Sequence, residues 1–133
     1  MNTLLNRLAF VLQGVIILLY LESIVLKLMG YPSEVAAFSK VEMDGMGRYV
    51  AIMLEILSII GILTQRFVIQ AAILSILIFA TGVFFHLTEL EINWWNDGGL
   101  RFSLTLLGLV SSISLFVIRN HLHSVLMRKG KLD

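Results

Sequence analysis

Residues 67–87 read FVIQAAILSILIFATGVFFHL, a run with no Asp, Glu, Lys or Arg and with His86 near its end. A helix needs roughly 17–25 mostly apolar residues to cross the hydrocarbon core of a bilayer, and this segment meets that length. Lipid offers the backbone no hydrogen-bond partners, so a spanning segment satisfies its own N–H and C=O groups as a helix. A barrel strand would alternate apolar and polar residues, and this run does not alternate.

Three further apolar stretches flank it. The spacing predicts spanning helices at about 8–29, 47–64, 67–88 and 101–119. The fold expected is therefore all-α, a four-transmembrane-helix antiparallel bundle forming one transmembrane domain over residues 1–133. Composition agrees: the chain is 58% hydrophobic and 14% charged, whereas soluble domains carry about 25% charge. A soluble body this small would expose too much of that apolar surface to be stable. The first stretch follows Arg7 but exceeds a signal-peptide core, and no small-residue cleavage site follows it. It reads as a retained helix.

Lys and Arg in short loops favour the cytoplasm. With four spans both termini share a side, and that side holds Arg7, Arg66, Arg119, Arg128, Lys129 and Lys131. Both termini are thus expected to be cytoplasmic. The segments at about 30–47 and 88–100 would face outward and collect Glu34, Glu42, Asp44, Glu89, Glu91 and Asp97. Gln65-Arg66 alone is expected to join the second and third helices. Pro32 stands just inside a possible helix start, and Val35, Ala36 and Phe38 can lie along the interface as a short amphipathic turn or helix. Asp44-Gly45 and Gly47 would end it. Trp94 and Trp95 stand at aromatic-belt level, before an Asn96–Gly99 turn.

A charge inside a spanning helix costs about 2.5–3.5 kcal/mol on insertion scales, which makes such residues functional candidates. Glu22, Lys27, Glu55 and His86 lie in the outer half of three helices, and Arg101 opens the fourth. Their gathering at one depth points to a shared pocket or ion-pair network, and these five are the candidate ligand-binding residues. Each also has a plainer reading. Lys27 can snorkel to the interface, Arg48 and Arg101 can be flanking residues, Arg101 can pair with Glu89, and His86 can be a satisfied interfacial histidine. Glu55 is the hardest to explain so, because a buried carboxylate must pair or hold a proton. Arg101, Thr105, Gly108 and Ser112 form a small and polar stripe suited to close helix packing.

Other chemistries find little support. Cysteine is absent, which removes thiol catalysis and iron–sulfur ligation. The net charge of +1 gives no sign of a nucleic-acid partner. His86-x-x-Glu89 reverses the Glu-x-x-His order of di-iron bundles, and His121-x-His123 has no third ligand, so no metal site is expected. No phosphate loop, nucleophile triad or dinucleotide fingerprint occurs. Neither a catalytic signature nor an intrinsic redox centre is visible.

The segments Leu26-Lys27-Leu28-Met29-Gly30, Val35 to Phe38, and Tyr49 to Thr64 (YVAIMLEILSIIGILT) resemble the DoxX-like family of small four-helix membrane proteins. The shared features are a K-L-x-G end to the first helix, a Glu within the second, a Gly-x-Leu-Thr ending before Arg66, and a His near the outer end of the third, here His86. The resemblance covers about residues 5–118. Members usually have a small residue where this chain has Glu22. The resemblance implies a bacterial cytoplasmic (inner) membrane location and association with electron transfer, with a quinone as the possible cofactor. A membrane oxidoreductase partner would supply the electrons, lipid would surround the bundle, and a homo-oligomer is open. Glu55 and His86 would then handle protons or hydrogen-bond a carbonyl, tuned by Lys27 and Glu22. The alternative is a non-enzymatic scaffold or interaction subunit of a larger membrane complex. A transporter ranks below both, since neither repeats nor broken helices are evident.

Overall fold

The computed structural model describes residues 2–43, 46–90 and 92–132. Five helices follow one another: α1 (Asn2–Leu28), α2 (Pro32–Lys40), α3 (Met46–Leu63), α4 (Val68–Thr88) and α5 (Leu100–Leu132), with a 3₁₀ turn at Trp94–Asn96 before the last. Among the described residues there is no strand. The helices α1, α3, α4 and α5 are long and apolar enough to cross a membrane, the architecture of an integral membrane protein. The expected Asp44-Gly45 break and Glu91 lie outside the described residues.

The spanning helices form a closed ring, α1 against α3, α3 against α4, α4 against α5 and α5 back against α1, with the α4–α5 seam the most extensive. Residues are sorted as lipid requires. Large apolar side chains such as Leu18, Leu77 and Val110 point outward, while Gln13, Ser58, Ser75, Ser111 and Ser112 are buried. Small residues set the helix spacing, since lipid tails give helices no hydrophobic reason to associate and close packing must do so. Gly82 faces Thr105, and Gly108 faces the Phe79 ring, so the expected stripe on the last helix does turn into the bundle.

Gly61 illustrates how little room remains. A Cβ there would stand 2.7 Å from the Cβ of Ala71, an atom with no side-chain torsion to move it aside. Gly61→Ala is expected to cost about 1–3 kcal/mol, the usual price of overpacking. Unfolding in mixed micelles checks this; a change within error would mean that α3 and α4 can separate freely.

Three boundaries differ from expectation, the first being the start of α1 at Asn2 rather than about residue 8. The link between α3 and α4 is residues 64–67 rather than Gln65-Arg66 alone, because Thr64 turns back to donate to the Gly61 carbonyl (3.0 Å). Helix α5 runs on to Leu132, well past 119. Hydropathy marks where lipid gives way to water, but helical hydrogen bonding continues across that line.

Arg119 ties the two terminal helices together. Its Nε and Nη2 donate to Gln13 Oε1 (3.1 and 2.6 Å), and its Nη1 donates to Asn6 Oδ1 (2.8 Å). Gln13 Nε2 donates in turn to the Ile62 carbonyl at the end of α3 (3.3 Å). The first part of α1, the later part of α5 and the α3–α4 link therefore share one end of the bundle, called inner below.

The outer end carries α2. Gly30, at φ +65°, ends α1 in the left-handed conformation that glycine adopts without steric cost. Pro32 then starts α2, with Glu34 in its first turn and Lys40 in its last, charges placed to suit the helix dipole. A short helix is thus present around Val35–Phe38, as expected. Trp94 Nε1 donates to the Ser33 carbonyl (3.1 Å), fastening α2 to the loop before α5.

Candidate functional site

The site grows from Glu55, placed mid-span on the inward face of α3 together with Ile52, Ser58 and Ile62. Its Oε1 meets the ammonium of Lys27 from α1 at 2.9 Å, and the two side chains are only 6% and 7% exposed. Lys27 therefore does not snorkel. Ser23, one turn before Lys27, donates to the same Oε1 (3.1 Å) and accepts a hydrogen bond from Lys27 Nζ. A buried carboxylate and ammonium are tolerated because each neutralises the other and is hydrogen-bonded besides. The Phe38 ring of α2 covers the ammonium, 6.0 Å from its centroid.

Above this pair is a cavity of about 500 Å³, lined by the outer parts of the spanning helices and by α2. Its lining includes Lys27, Glu55, His86 and Arg101, so four of the five residues singled out from sequence share one chamber. His86 is buried at the outer end of α4 and packs edge-on against Phe102, with ring centroids 5.7 Å apart. Glu22 stands outside the lining. It is half exposed and holds Arg101 from the outside, Oε1 to Nη1 2.6 Å.

Arg101 turns away from Glu89, its suggested partner. Its second terminal nitrogen, Nη2, meets Glu34 Oε1 of α2 at 2.8 Å. One guanidinium thus joins α5, α1 and α2, a task suited to its planar fork of donors. Asp97 prepares this position, accepting from the backbone N–H groups of Gly99 (2.8 Å) and Arg101 (3.1 Å) and so capping α5.

The cavity is not closed on all sides. Val50 and Leu54 of α3, and Leu77 and Thr81 of α4, line it and are exposed. Residues that belong to both surfaces mark an opening. These lining residues extend from Met43 at the outer end down to Leu54 and Leu77 at mid-span, along the apolar parts of α3 and α4.

Sequence reasoning missed a second layer one turn deeper. Tyr20 is 1% exposed and stacks on Phe79, with centroids 5.1 Å apart and planes at 9°. The hydroxyls of Ser58 and Ser75, both fully buried, lie beside the Tyr20 hydroxyl without reaching hydrogen-bond geometry. Glu34 and Ser23 were also overlooked as site residues. One signal was available: Asn6, Gln13, Tyr20 and Lys27 recur at intervals of seven along α1, near a whole number of turns. Three of these four side chains are buried, and Asn6 contacts Arg119.

No family model, curated protein or solved structure matches this chain.

Chemically, the chamber is balanced. Within the lining Lys27 is matched by Glu55 and Arg101 by Glu34, while Glu22 braces Arg101 from outside it. An ionic ligand would have to break a pair in a medium of low dielectric, at high cost. A neutral molecule with an apolar body and a polar head meets no such barrier.

Proposed function

We propose that this protein binds a neutral, lipid-soluble small molecule of the quinone class in the outer cavity, and that it serves a membrane oxidoreductase whose own centres supply the electrons. The carrying observation is the side opening between α3 and α4. It offers a lipid-dissolved molecule a way in along the apolar parts of α3 and α4, and it leads to the Lys27–Glu55 pair. Pockets of this kind, apolar with a few convergent polar groups, are the usual form of small-molecule sites. The DoxX-like motifs support the same reading and favour a bacterial inner membrane. The basic residues Arg7, Arg66, Arg119, Arg128 and Lys129 favour cytoplasmic termini.

Saturable binding of a short-tailed benzoquinone to the purified protein in detergent tests this. Wild type is expected to bind, and Glu55→Ala at least about tenfold more weakly, because the Lys27 ammonium, the charged donor available to a quinone carbonyl, loses the partner that positions it. A Thr81→Trp variant, which fills the opening from the lipid face, should bind weakly while keeping wild-type stability. Equal affinity in all three proteins would count against the proposal.

The second reading, an interaction subunit, draws on the extension of α5 beyond Arg119. That arm carries exposed His121, His123, Arg128 and Lys129 past the apolar span, a surface suited to an acidic partner. A stoichiometric partner lost on truncation after residue 119 would favour it.

A further inference from the structure

We infer that the inner end of the bundle binds anionic phospholipids, taking their phosphate groups on Arg7, Arg66 and Arg119. The inference is independent of any ligand in the outer cavity.

It starts from where the apolar spans stop. At the inner end, the first charged residue beyond each span is an arginine: Arg7 before Leu8 on α1, Arg66 in the link shared by α3 and α4, and Arg119 after Ile118 on α5. Arg119 bonds to Asn6 and Gln13 of α1, and Gln13 bonds to the Ile62 carbonyl of α3, so the three arginines share one end of the bundle. Each stands where hydrocarbon gives way to headgroups, because the length of the apolar runs sets that level. A lipid headgroup is therefore the neighbour these side chains meet, and charge decides which kind.

At the outer end, Lys27 and Arg101 meet carboxylates. Among the described residues, the inner end has no Asp or Glu. Arg119 donates there to the amide oxygens of Gln13 and Asn6, which are neutral and leave its charge unmatched. It also lies over the Phe10 ring, 4.9 Å from the centroid, and Arg66 lies over the Phe67 ring at 5.5 Å. Both rings are half exposed. An aromatic face attracts a guanidinium without neutralising it. Arg7 and Arg66 are themselves exposed. A guanidinium fork matches phosphate oxygens two at a time. A zwitterionic lipid brings a cation of its own beside its phosphate, whereas an anionic one brings net negative charge. Each basic residue near a membrane surface favours anionic lipid by about fivefold.

The arm of α5 supplies a control. Arg128 and Lys129 are exposed and follow Arg119 by about 13 Å along the helix. That carries them past a headgroup layer about 5–7 Å thick, to where an acidic protein would dock and a phospholipid would not.

The test reconstitutes the protein in vesicles of equal parts phosphatidylglycerol and phosphatidylcholine, extracts it in mild detergent, and identifies the retained lipid by mass spectrometry. Wild type is expected to retain phosphatidylglycerol about fivefold or more over phosphatidylcholine. Arg7→Gln/Arg66→Gln should bring the ratio close to one. Arg128→Gln/Lys129→Gln should leave it unchanged. All four side chains are exposed, so both double variants are expected to keep the fold, which circular dichroism checks. Inorganic phosphate added during extraction should displace no more phosphatidylglycerol than chloride of equal ionic strength. Equal retention of the two lipids by wild type would overturn the inference and leave the basic end to an acidic protein. A preference that survives Arg7→Gln/Arg66→Gln but is lost in Arg128→Gln/Lys129→Gln would overturn it too, by moving the contact to the arm. Specific displacement by inorganic phosphate would replace the lipid with a soluble anion and overturn it as well.

Discussion

Lys27→Met is expected to destabilise the folded bundle by about 3–5 kcal/mol, because it leaves the Glu55 carboxylate buried without its counter-charge. The pair is 2.9 Å apart and almost wholly removed from solvent, so neither partner can turn to water when the other is lost. The double variant Lys27→Met/Glu55→Leu should recover most of that loss, since two apolar side chains of similar volume fill the same space with no charge to solvate. Unfolding of the wild type, both single variants and the double variant in mixed micelles completes a mutant cycle. A strongly favourable coupling is expected. Additive single effects would mean that the two side chains reach headgroups independently, and the cavity would lose its polar floor.

Arg101→Met is expected to release α2. The guanidinium makes one charge-assisted bond to α1 and one to α2, each worth about 1.5–3 kcal/mol where solvent is excluded. The two are unequal. The Glu34 side chain is 11% exposed and that of Glu22 is 46% exposed, and water screens the more exposed pair. Glu34→Gln should therefore cost more than Glu22→Gln. Amide hydrogen exchange reads the effect directly: protection of residues 34–40 should fall in Arg101→Met and Glu34→Gln while the middle of α4 keeps its protection. Since Phe38 of α2 covers the Lys27 ammonium, ligand dissociation should quicken in the same variants. Unchanged exchange in α2 would show that Trp94 and helix packing suffice to hold it.

The architecture was legible because lipid imposes a simple rule: long apolar runs are spans, and helices are the form they take. The gathering of Lys27, Glu55, His86 and Arg101 was legible for the same reason, since charges in spans are costly and seldom lie there singly. What sequence could not supply was direction. Glu22 and Glu55 are both carboxylates within spans, yet one faces outward to brace Arg101 and the other inward to Lys27. That difference depends on helix rotation, which charge spacing alone leaves undetermined. The Tyr20, Ser58 and Ser75 layer was missed because hydroxyls are common in spans and carry no charge to mark them. The length of α5 was misjudged because polarity reports the edge of the bilayer and not the end of the helix.

The side opening can be probed in an intact membrane by photolabelling with a lipid-soluble azidoquinone, mapping the modified residues by mass spectrometry. Labelling is expected to concentrate on residues 46–55 and 77–86, to fall with added unlabelled quinone, and to drop in Thr81→Trp. Label spread evenly over the outer faces of all four spans, insensitive to unlabelled quinone and to that substitution, would contradict a lipid-accessible binding cavity.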